Sequence, residues 1–414
     1  MLLSLFKDKK ALELDKLDVE VVGRKTEADR LRSILSGFRT GLLPKLIGIH
    51  GPPGSGKTLV ARTMCTEFEQ GSSSRLRFIY VNLGEAKTVF GCANRLLVSM
   101  GGRWKAGRFG LDGIMEEFWT RLLEWKDGEG RYMVICFDEA DRLFLDRRGD
   151  PSGFMYRLVR SQDRLAGSGV GISLITISNT PFWDIWDLDG RVRSSMGVEE
   201  IFFQPYSRQD MKQILMGRCD EAFEPGVVDE KVIEACVDYT AEQSRDVRRM
   251  VDLLRICAEI AEAKGDKKVE MKHYTEAQQR VEMDHYKPLL NSVAELQRFL
   301  LIALAWLYEI ENVIAPSTNQ LYTELNRFLE EAKSVVPSYR RVSGILKEME
   351  VTNLIGVRDV SRGRRGRSNE IWLKIPAHAV LENAGIDWRR AKKLHDVKKE
   401  IEDLRRRFDK RRRG

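Results

Sequence analysis

The stretch Gly51-Pro-Pro-Gly-Ser-Gly56-Lys57-Thr58 combines three glycines, a lysine and a hydroxyl at the spacing of a phosphate cradle. Glycines let the backbone turn tightly and aim its N–H groups at an anion, and the N-terminus of a following helix adds positive potential. Lys57 supplies a mobile charge for the outer phosphates and Thr58 a hydroxyl for Mg²⁺. Pro53, Gly54, Ser55, Gly56, Lys57, Thr58 and Leu59 are the expected contacts to ATP or ADP. A cradle also needs carboxylates, and Asp138-Glu139 supplies them, Asp138 to hold Mg²⁺ and Glu139 to polarise the attacking water. Asn179 can hydrogen-bond that water or the γ-phosphate, and one of the adjacent Arg248 and Arg249 can fold back onto the nucleotide. Arg191 and Arg193 offer further cations.

These residues need a scaffold that brings them to one edge. Leu46–His50 reads as a short buried strand before the cradle, and Leu59-Val-Ala-Arg-Thr-Met-Cys65 as a helix after it. Leu76–Asn82, Tyr132–Asp138 and Ile172–Asn179 read as further strands, the last two ending in the acids and the asparagine at their carboxyl edges, where doubly wound sheets place ligands. Val21-Val22-Gly-Arg24 reads as a strand-like entry covering the adenine, and Thr26 as the cap of a helix ending near Gly37.

About fifty residues separate the second strand from the acidic one, more than one crossover helix needs. An insertion with two helical patterns, Ala93–Met100 and Gly113–Trp125, fills the gap. Its junction carries Arg103, Trp104, Lys105, Arg108 and Phe109 among four glycines and no acid, as suits a loop entering a phosphate-lined groove. Helical patterns over 207–280 suggest a lid. Composition changes near His285–Pro288, and three helical patterns follow, then two strand patterns flanking a turn with Arg362, Arg364, Arg365 and Arg367. Three helices and a hairpin make a winged helix. Its third helix presents Tyr339, Arg340, Arg341, Ser343 and Lys347, and nine basic residues stand against four acids between Ser338 and Lys374. Such a helix suits the major groove of duplex DNA and such a wing the minor groove and phosphates.

The 414 residues carry a formal charge of +7, which favours an anionic partner. The six cysteines show no metal-ligand spacing, the longest apolar run is too short to span a bilayer, and Met1–Phe6 lacks a signal peptide's charged start. These features predict a cytoplasmic, nucleoid-associated protein with no membrane partner. Residues 388–414 form a charged helical pattern that packs on the body or remains a basic tail.

The cradle, Asp138-Glu139, Asn179, Arg191 and Arg248 in this order, with a winged helix behind a lid, resemble the archaeal origin-recognition and replication-initiator family of AAA+ ATPases, relatives of the eukaryotic origin recognition complex and its cell-division-cycle paralogue. The resemblance runs from about Val21 to Ile375. It implies an α/β fold, an AAA+ P-loop parallel-sheet domain with an α-helical lid followed by a winged-helix DNA-binding domain. It implies a base over 1–203 with an insertion at about 84–126, a lid over 204–284, a winged helix over 285–380 and a charged segment over 381–414. Asn179 resembles the first sensor, Arg248 the second, Arg191 (or Arg193) an arginine finger offered to another initiator subunit, and Arg103–Phe109 the initiator-specific DNA-contacting motif. Gly190 and Arg245 replace the family's common proline and glycine. The implied function is slow, switch-like ATP hydrolysis, binding of double-stranded origin DNA and recruitment or loading of the replicative helicase. A DNA motor of the branch-migration helicase type and a nucleotide-gated transcription regulator are the competing readings.

Overall fold

The computed structural model describes residues 4–13, 21–72, 75–125, 131–161, 164–181, 198–361, 367–387 and 389–403. They divide into two compact units, Met1–Tyr274 and Thr275–Gly414.

In the first unit, α1 (Lys25–Ser36) precedes β1 (Leu46–His50), and the phosphate cradle opens α2 (Lys57–Gly71). There follow β2 (Leu76–Asn82), α3 (Leu83–Ala86), α4 (Val89–Ser99), α5 (Gly110–Glu124), β3 (Arg131–Asp138), α6 (Pro151–Val159), β4 (Val170–Ser178) and β5 (Val198–Phe202). The five strands form one parallel sheet in the order β2-β3-β4-β1-β5. Strand alternation divides its side chains between two cores. Met133, Ile135 and Phe137 of β3 point into the core shared with α4, α5 and α6, while Val134 and Cys136 point into the one shared with α1 and α2. Registry then sets the site, because β2 pairs with β3 so that Asn82 lies beside Asp138, and β4 ends next to β1.

The entry to the cradle differs from the expectation. Val22-Gly23 is a turn and not a strand, with Gly23 at φ +67° and its α-carbon pressed so close to Asp210 that an added Cβ would lie 2.6 Å from the carboxyl carbon. The helix begins at Lys25 and not after a Thr26 cap, and Arg24 at its start spends its side chain elsewhere.

Four further helices follow: α7 (Arg208–Ala222), α8 (Glu230–Gln243), α9 (Val247–Ala263) and α10 (Met271–Ser292). Ser207, Asp229 and Asp246 cap the first three through side-chain oxygens. The N-terminal residues lie along this lid: Ala11 and Leu12 are fully buried, Phe6 pairs with Phe223, and Lys9 meets Glu259. At the composition change near His285–Pro288 the chain is helical. α10 runs through Pro288, because a proline deletes one ladder bond without obliging the helix to stop there.

The second unit contains α10 from Thr275 onward, α11 (Glu295–Glu309), α12 (Thr318–Glu331), α13 (Tyr339–Val351), the antiparallel pair β6 (Ile355–Ser361) and β7 (Arg367–Leu373), and α14 (Ala377–Asn383). Every residue of α11 from Arg298 to Leu307 is buried, as expected of a helix apolar on all sides. Leu394, Val397 and Ile401 of the charged C-terminal stretch are buried in the same core, so that part packs on the body, whereas Leu404 and Phe408 lie outside the described residues. Among the described residues, no helix is long and apolar enough to cross a membrane.

Candidate nucleotide site and nucleic-acid interface

At the carboxyl edge of the sheet the cradle borders a cavity of about 670 Å³, within the range of a small-molecule site. Gly54 and Gly56 adopt φ +69° and +87°, and an added Cβ at Gly56 would fall 2.4 Å from the Tyr206 hydroxyl. Only glycine fits there. Ser55 Oγ is buried without a partner among the described residues, a donor that an oxyanion would satisfy. Lys57 is buried, and its Nζ donates to the carbonyls of Gly51 (2.6 Å) and Pro52 (2.8 Å) and to Asn179 Oδ1 (3.3 Å). Burial lowers its pKa to about 8, partly offset by Asp138.

Asp138 accepts on both oxygens. Oδ2 takes the Thr58 hydroxyl at 2.8 Å and the Tyr80 hydroxyl at 2.6 Å, and Oδ1 takes the Glu139 amide at 2.9 Å. Burial and the bond to Asp138 push the Tyr80 phenol well above its ordinary value, and Arg62 lies 4.4 Å over its ring. Glu139 sits at φ +53°, an uncommon conformation for a non-glycine, and its carboxylate pairs with Arg142, 3.1 Å away. Arg248 lines the cavity and pairs with Asp246. Lys57, Thr58, Asp138, Glu139, Asn179 and Arg248, far apart in sequence, are thus walls of one cavity.

Val22, Pro53, Gly54, Ser55, Gly56 and Leu59 also line it, whereas Val21 packs against the core between the sheet and α1 and α2. Arg24 lies behind the cradle. Its guanidinium donates to the carbonyls of Ser55 (2.9 Å) and Gln204 (2.6 Å), pairs with Glu27 and stacks 3.8 Å over Tyr206, which makes it a brace. Arg191 and Arg193 lie outside the described residues.

The insertion loop stands between α4 and α5. Asn94, fully buried, pins it by accepting from Lys105 N (2.7 Å) and donating to Lys105 O (3.4 Å). Gly101–Gly110 contains no acid, yet Glu117 of α5 reaches Lys105 Nζ at 2.6 Å. Lys105 is therefore held by the protein, while Arg103, Trp104 (58% exposed), Arg108 and Phe109 are presented outward. In the second unit, Tyr339, Arg340, Ser343 and Lys347 share one side of α13 around a shallow groove, and Arg341 is exposed beside them. Arg362, Arg364 and Arg365 lie outside the described residues, and Arg367 opens β7.

A model of the AAA family, ATPases associated with various cellular activities, matches residues 47–206. Models of the Cdc6 AAA+ ATPase-type lid domain and of the CDC6 C-terminal winged helix domain match residues 212–279 and 289–383. An ORC1-type DNA replication protein of Thermococcus kodakarensis is 31% identical over 385 residues, 91% of this chain and 90% of that protein. This chain belongs to the ORC1-type DNA replication protein family. It is an AAA+ ATPase with a lid and a C-terminal winged helix, a family that binds nucleotide. A similar protein from Aeropyrum pernix, ORC1-type DNA replication protein 1, is 31% identical over 87% of this chain and 89% of its own length. The solved structure of the Aeropyrum pernix ORC1 protein in complex with DNA is 27% identical, with a TM-score of 0.61, covering 91% of this chain and 96% of that one. A chain of Drosophila ORC bound to DNA, 18% identical with a TM-score of 0.55 over 91% and 90% of the two chains, shares the fold.

Sequence reasoning on this ORC1-type chain missed Tyr80, Arg62, Arg142, Tyr206 and Asp246. Tyr80 was the most accessible of these. It sits two residues before Asn82 on the same face of β2, and β2 is the natural neighbour of the strand that ends in Asp138. Asp246 had a signal only as a helix cap.

Proposed function

We propose that this ORC1-type chain is a nucleotide-switched replication initiator. It binds double-stranded origin DNA through the winged helix and the insertion loop, helps recruit or load the replicative helicase, and hydrolyses ATP slowly. The work is divided among a base over 1–203, a lid over 204–284, a DNA-binding module over 285–380 and a charged segment over 381–414. The observation that carries this reading is the union, in one chain, of a complete phosphate-binding constellation with an outward basic face on a winged-helix third helix. The Aeropyrum pernix relative's complex with DNA supports the second half.

Thr58 Oγ1 and Asp138 Oδ2 are hard oxygen donors only 2.8 Å apart on the cavity wall, a donor set that fits Mg²⁺ with its other positions left to water and phosphate oxygens. Bound there, Mg²⁺ supplies neutralisation of charge on the β- and γ-phosphate oxygens. The cradle amides and Lys57 bind the phosphates of ATP, Lys57 exchanging its carbonyl partners for them. Asn179 orients the attacking water, and Glu139 polarises it. Glu139 also pairs with Arg142 at the cavity wall, a contact it must exchange to meet the water. Arg191 (or Arg193) is assigned to a neighbouring initiator subunit's nucleotide and Arg248 to its own.

Nucleotide binding and hydrolysis measured on two variants test the chemistry. Lys57→Ala loses ATP binding, whereas Glu139→Gln binds ATP and fails to hydrolyse it, because only the water is left unpolarised. Equal loss of ATP affinity in both removes the role given to Glu139.

A further inference from the structure

Asp246, the cap of α9 and the partner of Arg248, stands between the phosphate cradle and that arginine. It is 8% exposed and caps α9, accepting from the Arg248 amide at 3.0 Å. The same carboxylate grips the Arg248 side chain along one edge, Nε to Oδ1 and Nη2 to Oδ2, both at 3.2 Å. It also touches the cradle. A Cβ added at Gly54 would fall 1.9 Å from Asp246 Oδ1 and 2.8 Å from its Cα, so glycine at 54 is what lets a lid residue rest on the loop.

A guanidinium has five donors in a rigid fork. With the Nε/Nη2 edge held by Asp246, the Nη1 side is left for an anion in the cavity that Arg248 lines. Because Asp246 rests on Gly54, that fork stands at a fixed distance from the loop. The geometry assigns to Asp246 the part of a positioning residue that registers Arg248 against the phosphate loop and so sets the preference for ATP over ADP. This rests on the reading that Arg248 acts on its own chain's nucleotide, taken to be at the γ-phosphate that distinguishes ATP from ADP.

Asp246 is itself an anion beside a phosphate site, tolerable because Arg248 neutralises it. Removing Arg248 deletes a phosphate donor and also leaves an uncompensated carboxylate against the loop. The same substitution at Asp246 therefore has opposite effects in two backgrounds.

The test is ATP and ADP affinity of the full chain for Asp246→Asn, Arg248→Ala and the double variant. Asparagine keeps the helix cap and removes the charge, and Asp246→Ser, another good cap, serves as a second variant. Asp246→Asn is expected to lower the ATP-to-ADP affinity ratio by about tenfold, the worth of one charge-assisted hydrogen bond. Introduced into Arg248→Ala, it is expected to strengthen binding of both nucleotides. A merely structural cap would change ATP and ADP alike and would not reverse sign. Equal shifts for the two nucleotides, or a further weakening in the Arg248→Ala background, overturn the role of Asp246. An unchanged ratio in Arg248→Ala alone overturns the reading of Arg248 and the inference with it.

Discussion

The chemistry of Lys57 depends on its surroundings. Burial lowers its pKa from 10.5 to about 8, so the charge that the phosphates need is being lost near physiological pH. Nucleotide affinity should fall as pH rises from 7.5 through 8 toward 9.5, with proton uptake on binding near pH 8. Titrations across that range check this, and Lys57→Arg, charged throughout, should bind more weakly with a flatter profile. Stability runs the other way. Between about 8 and 10.5 the unfolded chain holds a proton on Lys57 that the folded chain has released, so stability rises with pH in this window relative to Lys57→Met. The cost of the buried ammonium is fully present below 8. A pH-independent affinity would mean that nucleotide meets a lysine already relieved of burial. The residue types at 51–58, 138, 139 and 179 were legible because phosphate chemistry restricts them. The Tyr80 bond to Asp138 and the Asp246 contact with Gly54 were not, since each joins elements whose approach only the folded sheet and lid define.

At the scale of elements, strands were read closely because both faces of a parallel sheet are buried and the apolar runs are bounded by the chemistry itself. Leu76–Asn82 is β2 to the residue. An error fell where local signals competed: Thr26 looked like a cap, but the helix starts before it. The insertion loop's charge was legible, but its tie to Glu117 was not, because that acid lies on the following helix. For DNA, α13 and the wing should differ in kind. Arg364→Ala with Arg365→Ala should weaken binding to all duplexes and reduce the slope of log affinity against log salt by about two, one per phosphate contact. Arg340→Ala or Arg341→Ala should instead relax sequence preference. Within the insertion, Arg103 and Arg108 should carry the footprint at one end. Affinity against salt for several duplexes separates these outcomes, and a recognition-helix variant that changes only the salt slope would move α13 from base reading to backbone contact.

For the whole molecule, the central claim is that one chain couples an ATPase to a DNA address at which replication begins. A motor would load wherever duplex is offered, and a transcription regulator would mark many promoters. The most direct measurement is genome-wide mapping of the protein's occupancy in growing cells, aligned with the positions where DNA copy number peaks. Occupancy concentrated at one or a few sites that coincide with those peaks is predicted. Occupancy spread over promoters, or without fixed sites, would contradict it.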